Sequence, residues 1–396
     1  MPVPTTTSSP ATRLSCQRDA FSLPRDVHYL NCAYMGPLPA SAEQAGVEAL
    51  AMKRVPTSIV PPDDFWGSDQ LRSLFARLVH APDPSRVAIQ PGVSYGVATA
   101  ARNLAVASGQ NIVLTHEQFP GNVYAWHRLA AESGAQVRAV GPSDSERRGA
   151  SWNEALLAAI DSSTAIVAVP NVHWTDGTWF DLEAVGRRCR EVGAGLVVDA
   201  TQSVGAMPFD VEAVQPDVLI VAAYKWLLGP YSVSLAYFGE RFDTGVPLEE
   251  TWIARKGSDD FQNLVDYQDE YVPGAVRYDV AERSNFFLLP IAAEALRLLI
   301  DWDPARIQEY CRTLTADMLV EAGSLGFTVE DEAWRSSHLF GLRVPEGVDL
   351  GKLQADLKSR NVSASLRGTA LRLSPNVYND DEDIAALMRV LRDSVS

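Results

Sequence analysis

The chain of 396 residues has a formal net charge of −16, with 46% apolar and 21% charged residues. That length buries a large core and suits two domains, and the composition is that of a soluble globular protein rather than a fibrous or disordered one. The acidic balance argues against nucleic acid or anionic membrane as the main partner, and no run of about 18 apolar residues marks a membrane span.

Residues 1–17 are rich in Thr, Ser and Pro, without the charged and apolar blocks of a signal peptide, and read as a disordered tail. A short extended segment, Val27–Asn31, leads through a turn containing Tyr34 to a helix running from about Pro39 to Ala51. The Pro- and Asp-rich stretch 56–67 reads as a loop, and Ser68–Val79 as a helix with Leu71, Leu74, Phe75 and Leu78 on one face. Arg86–Gln90 is a strand, followed by Pro-Gly-Val-Ser-Tyr-Gly and a helix from about Ser94 to Val106. Strand, glycine turn and helix in that order aim backbone N–H groups at a phosphate.

Strands are then expected at Asn111–Leu114, Gln136–Ala139 and Ala165–Val169, with helices between them. Asp181 caps another helix that ends near Gly193. Leu196–Val198 ends in Asp199, Val218–Ala223 ends in Tyr224 and Lys225, and Val233–Phe238 follows a Gly-Pro turn. Alternating strands and helices predict an α/β fold with a mostly parallel, doubly wound sheet, whose ligands bind at the carboxyl ends of the strands. From about residue 290 the pattern changes. Two long helices, strands at Thr328–Glu330, Leu339–Val344, Val362–Ser365 and Ala370–Leu373, and a final helix Asp381–Val395 predict a smaller α+β domain. The expected division is a large domain over 18–289 and a small one over 290–396.

An acid and a lysine therefore sit at the ends of consecutive strands, where a charge is costly unless paired or used. The chain has five lysines, and Lys225 is the one embedded in an apolar run. Desolvation depresses such a lysine's pKa, and a neutral amine can form a Schiff base with an aldehyde. A nearby acid can keep a pyridine nitrogen protonated, so Lys225 and Asp199 predict pyridoxal 5'-phosphate (PLP) as cofactor. The cysteines, Cys16, Cys32, Cys189 and Cys311, lack metal or disulfide spacing and fit a reducing cytoplasm.

With VDATQSVGA and AAYKW in view, the sequence resembles the class V aminotransferase superfamily of fold-type I PLP enzymes. That group includes cysteine desulfurases, kynureninases and isopenicillin N epimerases. The resemblance covers about residues 20–390 and implies roles for matched positions. Lys225 and Asp199 are catalytic, and Gln202 sits by the cofactor's phenolic oxygen. Val93, Ser94, Tyr95 and Tyr224 hold the phosphate, Phe119 stacks on the ring as in kynureninases, and Asn171 and Trp174 wall the pocket. Arg372, in Leu-Arg-Leu-Ser-Pro, grips the substrate α-carboxylate, with Tyr34 and Arg277 as further substrate contacts. Ser284 and Asn285 reach the cofactor of a partner subunit in a homodimer. Two departures matter: Ser363–Thr369 holds no cysteine where desulfurases carry their nucleophile, and Ala222 replaces a common Ser or Thr. The reading is a lyase that eliminates a C–S or C–C substituent from an amino acid. Transamination, epimerisation and a non-catalytic PLP- or nucleotide-binding protein are the alternatives.

Overall fold

The computed structural model describes residues 13–395; residues 1–12 of the expected tail lie outside the described residues. From there the chain runs against the C-terminal part, with Leu14 buried and the Gln17 N–H donating to the Val377 carbonyl at 2.7 Å.

The central sheet has seven strands: β1 (Val87–Gln90), β2 (Asn111–Thr115), β3 (Gln136–Val140), β4 (Thr164–Pro170), β5 (Gly195–Asp199), β6 (Val218–Ala222) and β7 (Ser234–Phe238). Their spatial order is β1-β7-β6-β5-β4-β2-β3. Pairings from β3 through to β6 are parallel, and β7 runs antiparallel to both β6 and β1. The connection over residues 223–233 is too short to hold a crossover helix, so β7 must return antiparallel. Side chains alternate between two cores. Val113, Val167, Val198, Leu219 and Leu235 face one side, and Ile112, Ile166, Val197, Ile220 and Ala236 face the other. Strands buried on both faces explain the unbroken apolar runs in the sequence.

The first core also takes in the helices Ala40–Met52, Asp63–Leu78 and Leu288–Trp302, the first two packing on the third. The helix expected from Ser68 begins at Asp63: Pro62 precedes it, and Asp63 and Asp64 occupy the first turn, where the helix dipole favours acids. Arg72 on this helix reaches the wholly buried Asp279, which also pairs with Arg283 at 2.7 Å.

A third core belongs to the smaller part, with Phe340, Leu342, Leu371, Leu373, Leu387 and Leu391 together with Leu30 from the N-terminal segment. Its sheet holds β8 (Phe340–Arg343), β9 (Ser365–Arg367) and β10 (Ala370–Leu373) in the order β9-β10-β8, all antiparallel. The strand expected at Thr328–Glu330 is absent. Thr328 makes a single bridge to Arg343, and the chain turns away into a 3-10 turn at Glu332–Trp334. His28–Tyr29 pairs in parallel with Val362–Ser363, so the chain's start is stitched to its end. Arg18 reinforces this seam with a buried 3.2 Å ion pair to Asp383.

Candidate active site

The carboxyl ends of β1, β4, β5 and β6 open into one cavity of about 280 Å³. Asp199 is the last residue of β5, and Lys225 lies three residues past the end of β6. The register pairs Asp199 with Ile220, so the two side chains enter the cavity from neighbouring strands. The chain turns sharply at Lys225: the Leu228 N–H donates to its carbonyl at 3.1 Å, and Leu228 takes a positive φ of 51°. The N-terminal segment backs this turn. A Cβ on Gly36 would stand 2.1 Å from the Lys225 carbonyl oxygen, so only glycine allows that approach.

Both groups are buried, and burial sets their ionisation. It is the largest cause moving the Lys225 amine down to about 8, opposed by Asp199 and assisted by Arg372. Burial likewise raises the Asp199 carboxyl, against hydrogen bonds from Thr201 and the charge of Lys225. Asp199 Oδ1 accepts from the Thr201 N–H at 3.1 Å. A protonated ring nitrogen placed beside Asp199 would reverse its shift by pairing with it.

The helix Val93–Asn103 starts at the cavity rim, with Gly92, Val93 and Ser94 lining it, as the glycine turn led one to expect. Tyr95, also expected at the phosphate, does not line the cavity, and its hydroxyl is buried towards Glu249 and Asp279. Tyr224 lines the cavity and packs on Tyr231 at 4.6 Å between ring centroids. The Phe119 ring stands over the Lys225 amine, with Nζ 5.3 Å from its centroid, and meets Trp174 edge-on at 5.6 Å. Gln202 also lines the cavity, but its amide is committed elsewhere. Its oxygen accepts from Trp226 Nε1 at 2.9 Å and its nitrogen donates to the Ala33 carbonyl at 3.2 Å. Buried His338, held well on the neutral side at about 4 by desolvation, bonds the Gln202 carbonyl at 2.7 Å.

Other expected residues lie outside the lining. Asn171 is buried behind it, with a side-chain oxygen that has no partner. Arg372 is 1% exposed and its Nη1 donates to the Trp174 carbonyl at 2.8 Å, next to the cavity wall. Tyr34 is exposed near Tyr224. Arg277 sits over the Tyr271 ring at 5.0 Å, away from the cavity. Ser284 donates to the Asp64 carbonyl, and Asn285 accepts from the Phe287 and Leu288 N–H groups, capping a helix. Neither touches this chain's own cavity. The sequence did not single out Thr201, whose hydroxyl accepts from the Ala222 N–H at 3.2 Å, or Tyr231 and Ser232, which close one side. The Gly-Pro turn before Tyr231 was a visible signal; where it folds back was not.

The cavity thus suits PLP: an apolar-buried amine to receive the aldehyde, a buried carboxyl with one oxygen left for a ring nitrogen, an aromatic face and a helix N-terminus for the phosphate. Comparison with known proteins agrees. Residues 67–250 match the aminotransferase class-V family. An uncharacterized aminotransferase of Bacillus subtilis, YcbU, is 28% identical over 315 residues, spanning 79% of this chain and 80% of that protein. The isopenicillin N epimerase of Streptomyces clavuligerus is 23% identical over 91% of this chain and 93% of its own length. Among solved structures, the cystine C-S lyase C-DES superposes with a TM-score of 0.81 at 19% identity, covering 93% of this chain and 98% of its own. The cysteine desulfurase CsdA of Escherichia coli gives 0.79 at 18% identity, covering 95% and 97%. These two superpositions speak to the fold alone. Fold and site together define a PLP-dependent enzyme. The sequence match points to the family the chain resembles: residues 67–250 match the class V aminotransferase family, and YcbU and the epimerase are similar to most of its length.

Proposed function

We propose that this enzyme is a lyase that removes a substituent from the β-carbon of an amino acid. The observation that carries this reading is the set of titrating groups in the cavity: Lys225 is the one amine, joined by Asp199, Tyr224 and Tyr231. Lys225 would hold the cofactor, and its amine, when free, would serve as the base. Bound PLP supplies an electron sink for the substrate's α-carbon, and Asp199 sustains that property by pairing with the ring nitrogen. Ser94 and the N–H groups of the helix start receive the phosphate, and Tyr224 adds a hydroxyl. Phe119 would stack on the ring, and Trp174 would shield the substrate side. Arg372 binds the α-carboxylate through its guanidinium fork.

In elimination, Lys225 takes the α-proton and returns it to the departing group, which leaves with the electron pair of its bond to the β-carbon. Water then releases a keto acid and ammonia. A single amine in the cavity favours this one-base chemistry over the two-sided proton exchange of epimerisation. A cysteine nucleophile is not part of the scheme: no cysteine lines the cavity, and Cys32, Cys189 and Cys311 are buried, with burial pushing each thiol upward. Replacing all four cysteines with serine or alanine should leave turnover in place, at some loss of stability where the buried Cys189 is replaced.

Transamination is the second reading, favoured by the match to YcbU. Ammonia release without an added keto-acid acceptor separates the two. If a panel of amino acids yields product only with an acceptor present, the lyase reading fails. If the substrate inverts at the α-carbon with no keto acid formed, epimerisation replaces both. We further propose a cytoplasmic homodimer, in which the segment carrying Arg277, Ser284 and Asn285 approaches the partner's site. Light scattering that gives a monomer mass for cofactor-loaded protein at micromolar concentration rejects the dimer.

A further inference from the structure

Two guanidinium groups stand beside the cavity without an acid. Register places them: Arg372 on β10 pairs with Ser365 on β9, and Arg367 lies two residues on from Ser365, paired with Ala370. Residues two apart on a strand share a face, so Arg367 and Arg372 are diagonal neighbours on one side of the hairpin. Leu371 and Leu373 fill the other side and the core beneath it. The hairpin closes through Gly368, at a φ of 58° that suits glycine, which fixes Arg367 at the mouth of the turn.

The hydrogen-bonding needs of the pair are poorly met. Arg372 is almost wholly buried, yet it reaches one carbonyl, that of Trp174, and its Nε has no partner. Half-buried Arg367 bonds the carbonyl of its own neighbour Leu366 at 2.9 Å, and its Nε is also buried without a partner. Neither forms an ion pair among the described residues. Arg367 lies over the Trp174 ring, 5.5 Å from its centroid, and that ring lines the cavity. Burying one guanidinium without a counter-charge is expensive, and setting a second beside it adds repulsion. Two such groups on one face suit a ligand with two negative charges.

We propose that Arg367 and Arg372 together recognise an amino acid whose side chain is itself acidic, Arg372 taking the α-carboxylate and Arg367 the distal anionic group. This rests on the amino-acid reading above and names its substrate class. It also gives a use to the hairpin 365–373, which holds no nucleophile. The distal group passes Trp174, whose face already carries the Arg367 cation.

The test is calorimetric titration of the cofactor-loaded enzyme with succinate, which has two carboxylates and no amine to react, against butyrate, which has one. Wild type should bind succinate at least about tenfold more tightly than butyrate. Arg367→Gln should remove most of that preference and leave butyrate affinity and the bound-cofactor absorption band unchanged. Arg367→Lys should restore part of it, since an ammonium keeps the charge but not the fork. Circular dichroism confirms that the variants are folded. Equal affinity for succinate and butyrate in wild type, or a preference that survives in Arg367→Gln, overturns the proposal. Spectral titration with a panel of amino acids reports separately on the reading beneath it: an Arg367-dependent succinate preference with no amino acid perturbing the cofactor band leaves the arginine pair standing and removes the amino-acid reading.

Discussion

Replacing Lys225 with methionine should stabilise the cofactor-free protein. Methionine keeps the length and apolar stem of the side chain and removes its charge. In the unfolded chain a lysine holds its proton to about 10.4, whereas burial lowers Lys225 to about 8 in the folded state. Between those values the unfolded chain binds more protons, so folding stability rises with pH across that window. Below pH 8 both states are protonated and the whole penalty is present. The gap corresponds to roughly 3 kcal/mol, a net figure that already includes the attraction of Asp199 for the ammonium. Urea unfolding of cofactor-free wild type and Lys225→Met, followed from pH 6.5 to 10.5, measures the difference directly. The variant should lead by its full margin at pH 7, and the lead should shrink above pH 8 and vanish near pH 10.5. A variant no more stable than wild type at pH 7, or a difference that ignores pH, would refute the reasoning.

Other outcomes follow from the same geometry. Arg372→Leu should leave the cofactor band intact and weaken amino-acid binding by about one to two orders of magnitude, read by spectral titration, because a charge-assisted paired contact contributes roughly 1.5–3 kcal/mol. Ser94→Ala should raise the dissociation constant of PLP by about one to two orders of magnitude, measured by equilibrium dialysis, since one hydrogen bond to a charged phosphate is lost. Arg18→Ala should cost about 3–5 kcal/mol in urea unfolding, because it leaves Asp383 buried with only His28 and Asn379 as side-chain partners.

The sequence showed the large sheet well for a physical reason. Strands buried on both faces are continuous apolar runs, and the two charges that interrupt them, Asp199 and Lys225, are the ones the cavity collects. The start of the helix at Asp63 was harder to see, since proline and aspartate in 56–67 signal both a loop and a helix N-terminus. Thr328–Glu330 has strand-like residues, but whether a segment pairs depends on a neighbour that no local pattern reveals. The site was legible where a motif sits on a strand end, as for Lys225, Asp199 and Ser94. It was obscure where tertiary contacts decide. The Gln202 amide is claimed by Trp226 and Ala33, and Arg367 gains meaning only when the hairpin register sets it beside Arg372.

The most direct measurement of the central claim is chemical. Protein loaded with PLP is reduced with borohydride, digested and analysed by mass spectrometry. The pyridoxyl mass should appear on Lys225 and be lost in Lys225→Ala; an adduct on Lys53, Lys256, Lys352 or Lys358 instead, or no adduct at all, would contradict the account.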